Sequence, residues 1–265
     1  MIRLTDVAVT FNAGTVNEVR ALRGLSLTMQ HGELVTMVGS NGAGKSTLLN
    51  VIAGVIAPQQ GRIVIADQDV TGRSEHRRAP LVGRVFQNPL DGTAAGLTIE
   101  ENLSLALRRG HLRGLRQAVG DGERTLFRER LTATGLGLER RLNVPVGLLS
   151  GGQRQALTLL MATLAGPRAL LLDEHTAALD PVAAAQIEEL TVQVCTDQRL
   201  TTLMVTHNMQ QALRVGTRTI MLHQGEIALD VSAEERRGMT VDDLVRRFQE
   251  TRHQALVDDE LLLTH

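Results

Sequence analysis

The stretch GSNGAGKS, Gly39 to Ser46, has the spacing G-x-x-x-x-G-K-S. Its glycines, Gly39, Gly42 and Gly44, permit a tight turn around Ser40, Asn41 and Ala43 whose backbone N–H groups converge on phosphate oxygens. A helix starting at Lys45 adds the positive end of its dipole. In such a loop the lysine, here Lys45, reaches the outer phosphates of a nucleotide, and the hydroxyl of Ser46, followed by Thr47, binds Mg²⁺.

A second stretch, LLLDEHTAALD (Leu170 to Asp180), sets two adjacent acids, a histidine and a third acid after an apolar run. It reads as a metal cluster, a general-base device or an inert charged loop. Asp173, at the end of a buried strand, is placed to orient Mg²⁺, and Glu174 to take a proton from an attacking water. Metal ligation through His175 is disfavoured, because neighbouring side chains on a strand end point to opposite sides. A third stretch, LLSGGQ, precedes a helix with an apolar face of Leu157, Leu160, Met161 and Leu164. Ser150, the amides of Gly151 and Gly152, and Gln153 form a second anion-binding helix end there, or merely a flexible N-cap.

These stretches need elements to hold them. Alternation at Leu25, Leu27 and Met29 predicts a half-buried strand, and GELVTMVGS a central strand stopping at Gly39. Leu48, Val51, Ile52 and Val55 share a helical face that ends near Gly54 and Pro58. Further strands are predicted at 62–66, 82–86, 169–172, 200–206 and 218–222, several of them apolar throughout, as in a parallel sheet covered on both faces. The fold class is therefore α/β. Between about residues 88 and 166 the pattern is helical (ENLSLAL, FRERLTATGL, QRQALTLLMATLAG) and predicts a lobe inserted into the sheet part. MTVDDLVRRF reads as a tail helix capped by Thr240.

The chain has 265 residues, 28 basic and 29 acidic, with a net charge of −1 and four Phe as its only Phe, Tyr or Trp. Neither a basic footprint nor stacking platforms for nucleic acid are present. The local cluster Arg108, Arg109, Arg113 and Arg116 reads as a solvated face. Cys195 reads as a packing residue on a helix with Leu190 and Val194. The amino terminus meets Asp6 before a signal-peptide core could form, and no run approaches about 20 apolar residues, which predicts a cytoplasmic protein.

The phosphate loop, VFQNP around Gln87, LSGGQ, LLLDE, AALD ending at Asp180 and THN around His207 occur in one order, and the chain thereby resembles the ATP-binding-cassette (ABC) ATPases nearly throughout, to about residue 230. The resemblance implies a phosphate-loop NTPase core (about 1–87 and 167–230) of RecA-like type with an antiparallel amino-terminal β part, the helical lobe at 88–166, and a short helical tail at 231–265. It implies ATP and Mg²⁺, and a head-to-tail homodimer with each ATP between one subunit's phosphate loop and the other's LSGGQ. It implies Gln87 on Mg²⁺ and water, His207 on the γ-phosphate, and Asp180 linking the two sites. Taken alone, Gln87 would be a surface residue, His207 a core histidine and Asp180 an N-cap. It also implies separate permease subunits, an extracytoplasmic substrate-binding protein and a place on the inner face of the membrane, with import of amino-acid-like substrates favoured over export. Soluble relatives that remodel DNA or ribosomes carry paired cassettes or long coiled coils, which this chain lacks. Two departures stand out: His175 replaces a frequent Pro, and the adenine-stacking aromatic, commonly Tyr, has only Phe11 as a candidate.

Overall fold

The computed structural model describes residues 1–110 and 119–262, with side chains to residue 251. β1 (Ile2–Phe11) and β2 (Val19–Met29) pair antiparallel, Leu4 opposite Leu27, with register shifts near Val7 and Val9 that interrupt the alternation of β1. The wholly buried β3 (Leu34–Val38) follows, then the phosphate-loop helix α1 (Lys45–Ala53). Gly54, at φ +86, ends α1, which leaves Val55 off the helical face and half exposed. β4 (Gln60–Ile65), β5 (Gln68–Asp69) and the short α2 (Glu75–Arg78) come next. They place Arg78, fully buried, at the end of α1, where its Nη1 donates to the carbonyls of Val51 (2.7 Å) and Ile52 (3.0 Å). A cation there complements the helix dipole and ties the end of the phosphate-loop helix to the carbonyls of Thr71 and Arg73 in the segment before α2.

β6 (Val82–Val85) leads into the helical part: α3 (Ile99–Leu107), α4 (Asp121–Thr132) and α5 (Gly151–Thr163). These helices share a core of their own, built around Leu103, Phe127, Leu131 and Leu157. α5 is buried on a second side too, where Leu159 and Ala162 pack with Val85, Leu170 and Leu172 of the sheet. The approach is close: a Cβ at Gly83 would lie 2.3 Å from the Ala162 carbonyl. The chain then runs through β7 (Ala169–Asp173), α6 (Pro181–Asp197), β8 (Thr201–Val205), α7 (Met209–Val215), β9 (Arg218–His223), β10 (Glu226–Val231) and α8 (Val241–Leu262). Thr240 caps α8, its Oγ1 accepting from the Asp243 N–H. Cys195 is buried in α6 with Thr202 donating to its Sγ, as a packing residue should be. Among the described residues no helix is long and apolar enough to cross a membrane.

Two sheets result, β2-β1-β4-β5 and β10-β9-β3-β8-β7-β6. In the second, β6, β7, β8, β3 and β9 are parallel, and their ends are in register: Val85 pairs with Leu172, Asp173 with Val205, and Met37 with Val205. Gln87, Glu174, His207 and Gly39 therefore leave the sheet side by side, at the carboxyl edge where open parallel sheets bind ligands. For Arg108 and Arg109 the expectation of a solvated arginine face is corrected. Arg108 pairs with Glu123 of α4 (3.5 Å), and Arg109 is half-buried with its pKa lowered by burial. Arg113 and Arg116 lie outside the described residues.

Candidate active site

Backbone geometry explains why the phosphate loop needs its glycines. A Cβ at Gly39 would lie 2.4 Å from the Leu222 carbonyl, and one at Gly44, at φ +104, would lie 2.4 Å from that of Ala21. Gly44 is also the N-cap of α1 and has no side chain to take the first-turn amides, which stay available to an anion. Lys45 is buried, its Nζ donating to the carbonyls of Gly39 (2.7 Å) and Ser40 (2.9 Å) across the loop.

Opposite the loop, strand alternation predicts that Asp173 and Glu174 point apart, yet both line the same groove. Glu174 is not extended: its φ of +44 is a left-handed conformation that a non-glycine residue adopts at a cost, of about 1–3 kcal/mol. This turn brings the Glu174 carboxylate to His207 Nδ1, 3.2 Å from Oε2, and to Gln87 Nε2, 3.4 Å from the same oxygen. His207 is thus no core histidine; its side chain is 65% exposed. Burial raises the pKa of Asp173, Arg84 opposes the shift and the Glu174 charge adds to it.

The groove has a volume of about 630 Å³ and is lined by Phe11, Lys45, Ser46, Thr47, Gln87, Asp173 and Glu174, among others. Phe11, 39% exposed, stands on its wall rather than in the core. Ser46 and Asp173 offer a hydroxyl and a carboxylate in one cleft, the hard oxygens that Mg²⁺ takes alongside waters and phosphates, so these residues fit the ion. His175 does not join them. It is 1% exposed, and its Nε2 lies 3.0 Å from Thr191 Oγ1, whose hydroxyl already donates to Ile187. Nε2 must therefore carry the proton. Its Nδ1 meets no partner among the described residues, and burial pulls the imidazole pKa down to about 4.

Ser150, Gly151, Gly152 and Gln153 are not on the groove wall. Ser150 caps α5 in a reciprocal box: its Oγ accepts from the Gln153 N–H (3.3 Å) and its N–H donates to Gln153 Oε1 (3.3 Å). Asp180 caps α6, accepting from the N–H groups of Val182 and Ala183. One chain thus carries a phosphate cradle beside an acid pair, and a second helix end facing elsewhere.

A sequence profile described as "ABC transporter" matches residues 22–177. This chain belongs to the ABC transporter family. As an ABC ATPase it hydrolyses ATP. It is 45% identical over 225 residues to a tyrosine transport ATP-binding protein of Clostridioides difficile (strain R20291), covering 85% of this chain and 89% of the relative. It is 39% identical over 204 residues to a thiamine import ATP-binding protein of Yersinia pestis, covering 77% and 81%. Its structure matches a dimeric, post-hydrolysis ATP-binding cassette bound to ADP and Pi with a TM-score of 0.75 and 30% identity, over 88% of this chain and 99% of that one.

The ABC ATPase site also contains a residue that the motifs do not mark. Arg84 on β6 lies 3.6 Å from Asp173 Oδ2, donates to Asn50 Oδ1 at 2.7 Å and stacks on Phe86 at 4.6 Å. Its signal in the sequence is a lone cation in a buried strand, VGRVF, which must find a partner.

Two expected results follow from this geometry. Phe11→Ala should weaken ATP binding by about 1–3 kcal/mol, the scale of base–aromatic stacking, in a nucleotide titration. Unchanged affinity would separate Phe11 from the base. For His175, the folded pKa lies below the ordinary 6.5, so between pH 6.5 and about 4 the unfolded chain binds more protons and stability is lost as pH is lowered through this window. The loss should approach about 3 kcal/mol. Denaturant melts across this window should show it, and His175→Asn should flatten that part of the curve.

Proposed function

We propose that ATP lies in the groove with its base on Phe11 and its phosphates on the loop from Gly39 to Thr47, with Lys45 turned to the outer phosphates. Ser46 and Asp173, with Gln87 nearby, hold Mg²⁺, which supplies neutralisation of phosphate charge. Glu174 accepts the proton of the attacking water, His207 orients the Glu174 carboxylate and reaches the γ-phosphate, and the helix end at Ser150–Gln153 of a second copy closes the site. Asp180 links the two sites of that homodimer. The observation that carries this reading is the meeting of Gln87, Glu174 and His207 on one carboxylate oxygen, at the ends of three adjacent parallel strands. Catalysis of this kind rests on positioning and electrostatics.

We further propose that the chain is the ATPase subunit of an importer of amino-acid-like substrates, held on the inner face of the cell membrane by separate permease subunits and fed by an extracytoplasmic substrate-binding protein. The relative named for tyrosine transport supports the substrate class, and the one named for thiamine import supports the direction. The balanced charge supports a protein rather than a nucleic-acid partner. Purification from detergent-solubilised membranes should retain a membrane-spanning protein, and deletion should abolish uptake of labelled tyrosine. Recovery of nucleic acid or ribosomes instead of membrane protein would overturn the transporter reading.

A further inference from the structure

Behind the loops that present Glu174 and His207 lies a knot of buried polar groups. Gln211 of α7 is its centre, 6% exposed. Its Oε1 accepts from Thr206 Oγ1 (2.5 Å), and its Nε2 donates to Thr176 Oγ1 (2.9 Å) and to Glu188 Oε1 (2.5 Å). Glu188, buried on α6, accepts from Arg214 through its other oxygen. Thr206 Oγ1 in turn accepts from the Asn208 N–H, and Asn208 Oδ1 accepts from the Gln211 N–H. Thr176 stands two residues after Glu174, and Thr206 immediately before His207. One primary amide thus ties the loop after β7 to the loop after β8 and anchors both to α6.

Only a group that both accepts and donates can fill this place: the Thr206 hydroxyl needs an acceptor, and Glu188 needs a donor. The tie has a task. Glu174 is held at φ +44, a conformation that persists only where its surroundings enforce it. Its backbone is fixed by the N–H of Glu174 donating to Val205 and that of Ala177 donating to Glu174, and Gln211 fixes Thr176 between those bonds. We propose that Gln211 is a positioning residue, a clasp that sets the Glu174 carboxylate against His207 and so governs the hydrolytic step. The proposal rests on the roles given above to Glu174 and His207. None of Gln211, Glu188, Thr176 and Thr206 lines the groove, so the clasp acts on kcat and leaves nucleotide affinity alone.

The test is Gln211→Glu, nearly identical in shape. It puts a second carboxylate against Glu188, with Arg214 the cation facing the pair. Two carboxylates so close regain a donor only by sharing a proton. The ratio of variant to parent kcat should fall by about 10- to 100-fold above neutrality, the cost of a small misplacement, and climb back as pH is lowered, with ATP affinity unchanged. The exchange variant Gln211→Glu/Glu188→Gln restores one amide beside one carboxylate and should return a ratio that pH does not move. A folded Gln211→Glu with a ratio near one, a loss that pH leaves unchanged, or a loss in affinity rather than kcat overturns the clasp. Should Gln211→Glu not fold, Thr206→Val removes one arm without adding charge, and kcat within about twofold of the parent overturns it equally. Glu174→Gln measured in parallel separates the failures. If it still hydrolyses ATP, the proposed site is wrong; if it is inactive and Gln211→Glu is not, only the clasp is wrong.

Discussion

Glu174→Gln should hydrolyse ATP about 10²- to 10⁴-fold more slowly than the parent, the usual cost of losing a general base, while still binding the nucleotide. The amide keeps the length and shape of the side chain, so the contacts with His207 Nδ1 and Gln87 Nε2 lose their charge but not their geometry. It cannot accept a proton. The groups placed for phosphate binding, Lys45 and the open amides of α1, belong to another loop and are untouched. Binding without turnover should trap the proposed closed homodimer, seen as an ATP-dependent shift in size-exclusion chromatography. Asp173→Asn should behave differently, weakening Mg²⁺ binding itself, because that carboxylate sits beside Arg84 and faces the groove with Ser46. Near-normal turnover by Glu174→Gln would move the base elsewhere, with His207, already against that carboxylate, the first candidate.

The phosphate loop and the parallel strands were legible because each depends on a local signal: glycines at fixed spacing, and short apolar runs such as LVTMV and TTLMV that are buried throughout. Register at the sheet edge was not legible, since it depends on which strands become neighbours. So the convergence of Gln87, Glu174 and His207 could be reached only through resemblance. At Glu174 a left-handed turn, which no spacing announces, overrides strand alternation and puts both acids in one groove, as the paired roles read from the sequence require. β1 carries no clean period-2 signal, because bulges near Val7 and Val9 break it. The partners of Arg84 and Gln211 are not legible in the sequence, for a common reason. Each acts through partners more than thirty residues away or on another element, such as Asn50 for Arg84 and Thr176 for Gln211, and no spacing within the chain announces such pairs.

Mixing two inactive variants should restore activity if, as proposed, each site is shared between two copies of the chain. Lys45→Ala removes the ammonium that bridges the phosphate loop, and Ser150→Arg replaces the cap of α5 with a bulky cation at a helix end that favours anions. Loss of the cap costs only about 1 kcal/mol, and α5 is held by apolar packing on two sides, so the variant should fold. Each homodimer has two damaged sites. A heterodimer concentrates both lesions in one site and leaves the other whole, built from the loop of the Ser150→Arg chain and the helix end of the Lys45→Ala chain. Random pairing in equal amounts makes roughly a quarter of all sites intact. ATPase activity should rise from near zero in either variant toward that fraction of the parent. The recovery should vanish when both changes are carried on one chain and mixed with nothing. Heterodimers shown to form, yet without recovered activity, would require a site complete within one subunit, and the absence of Ser150–Gln153 from the groove wall would then need another purpose.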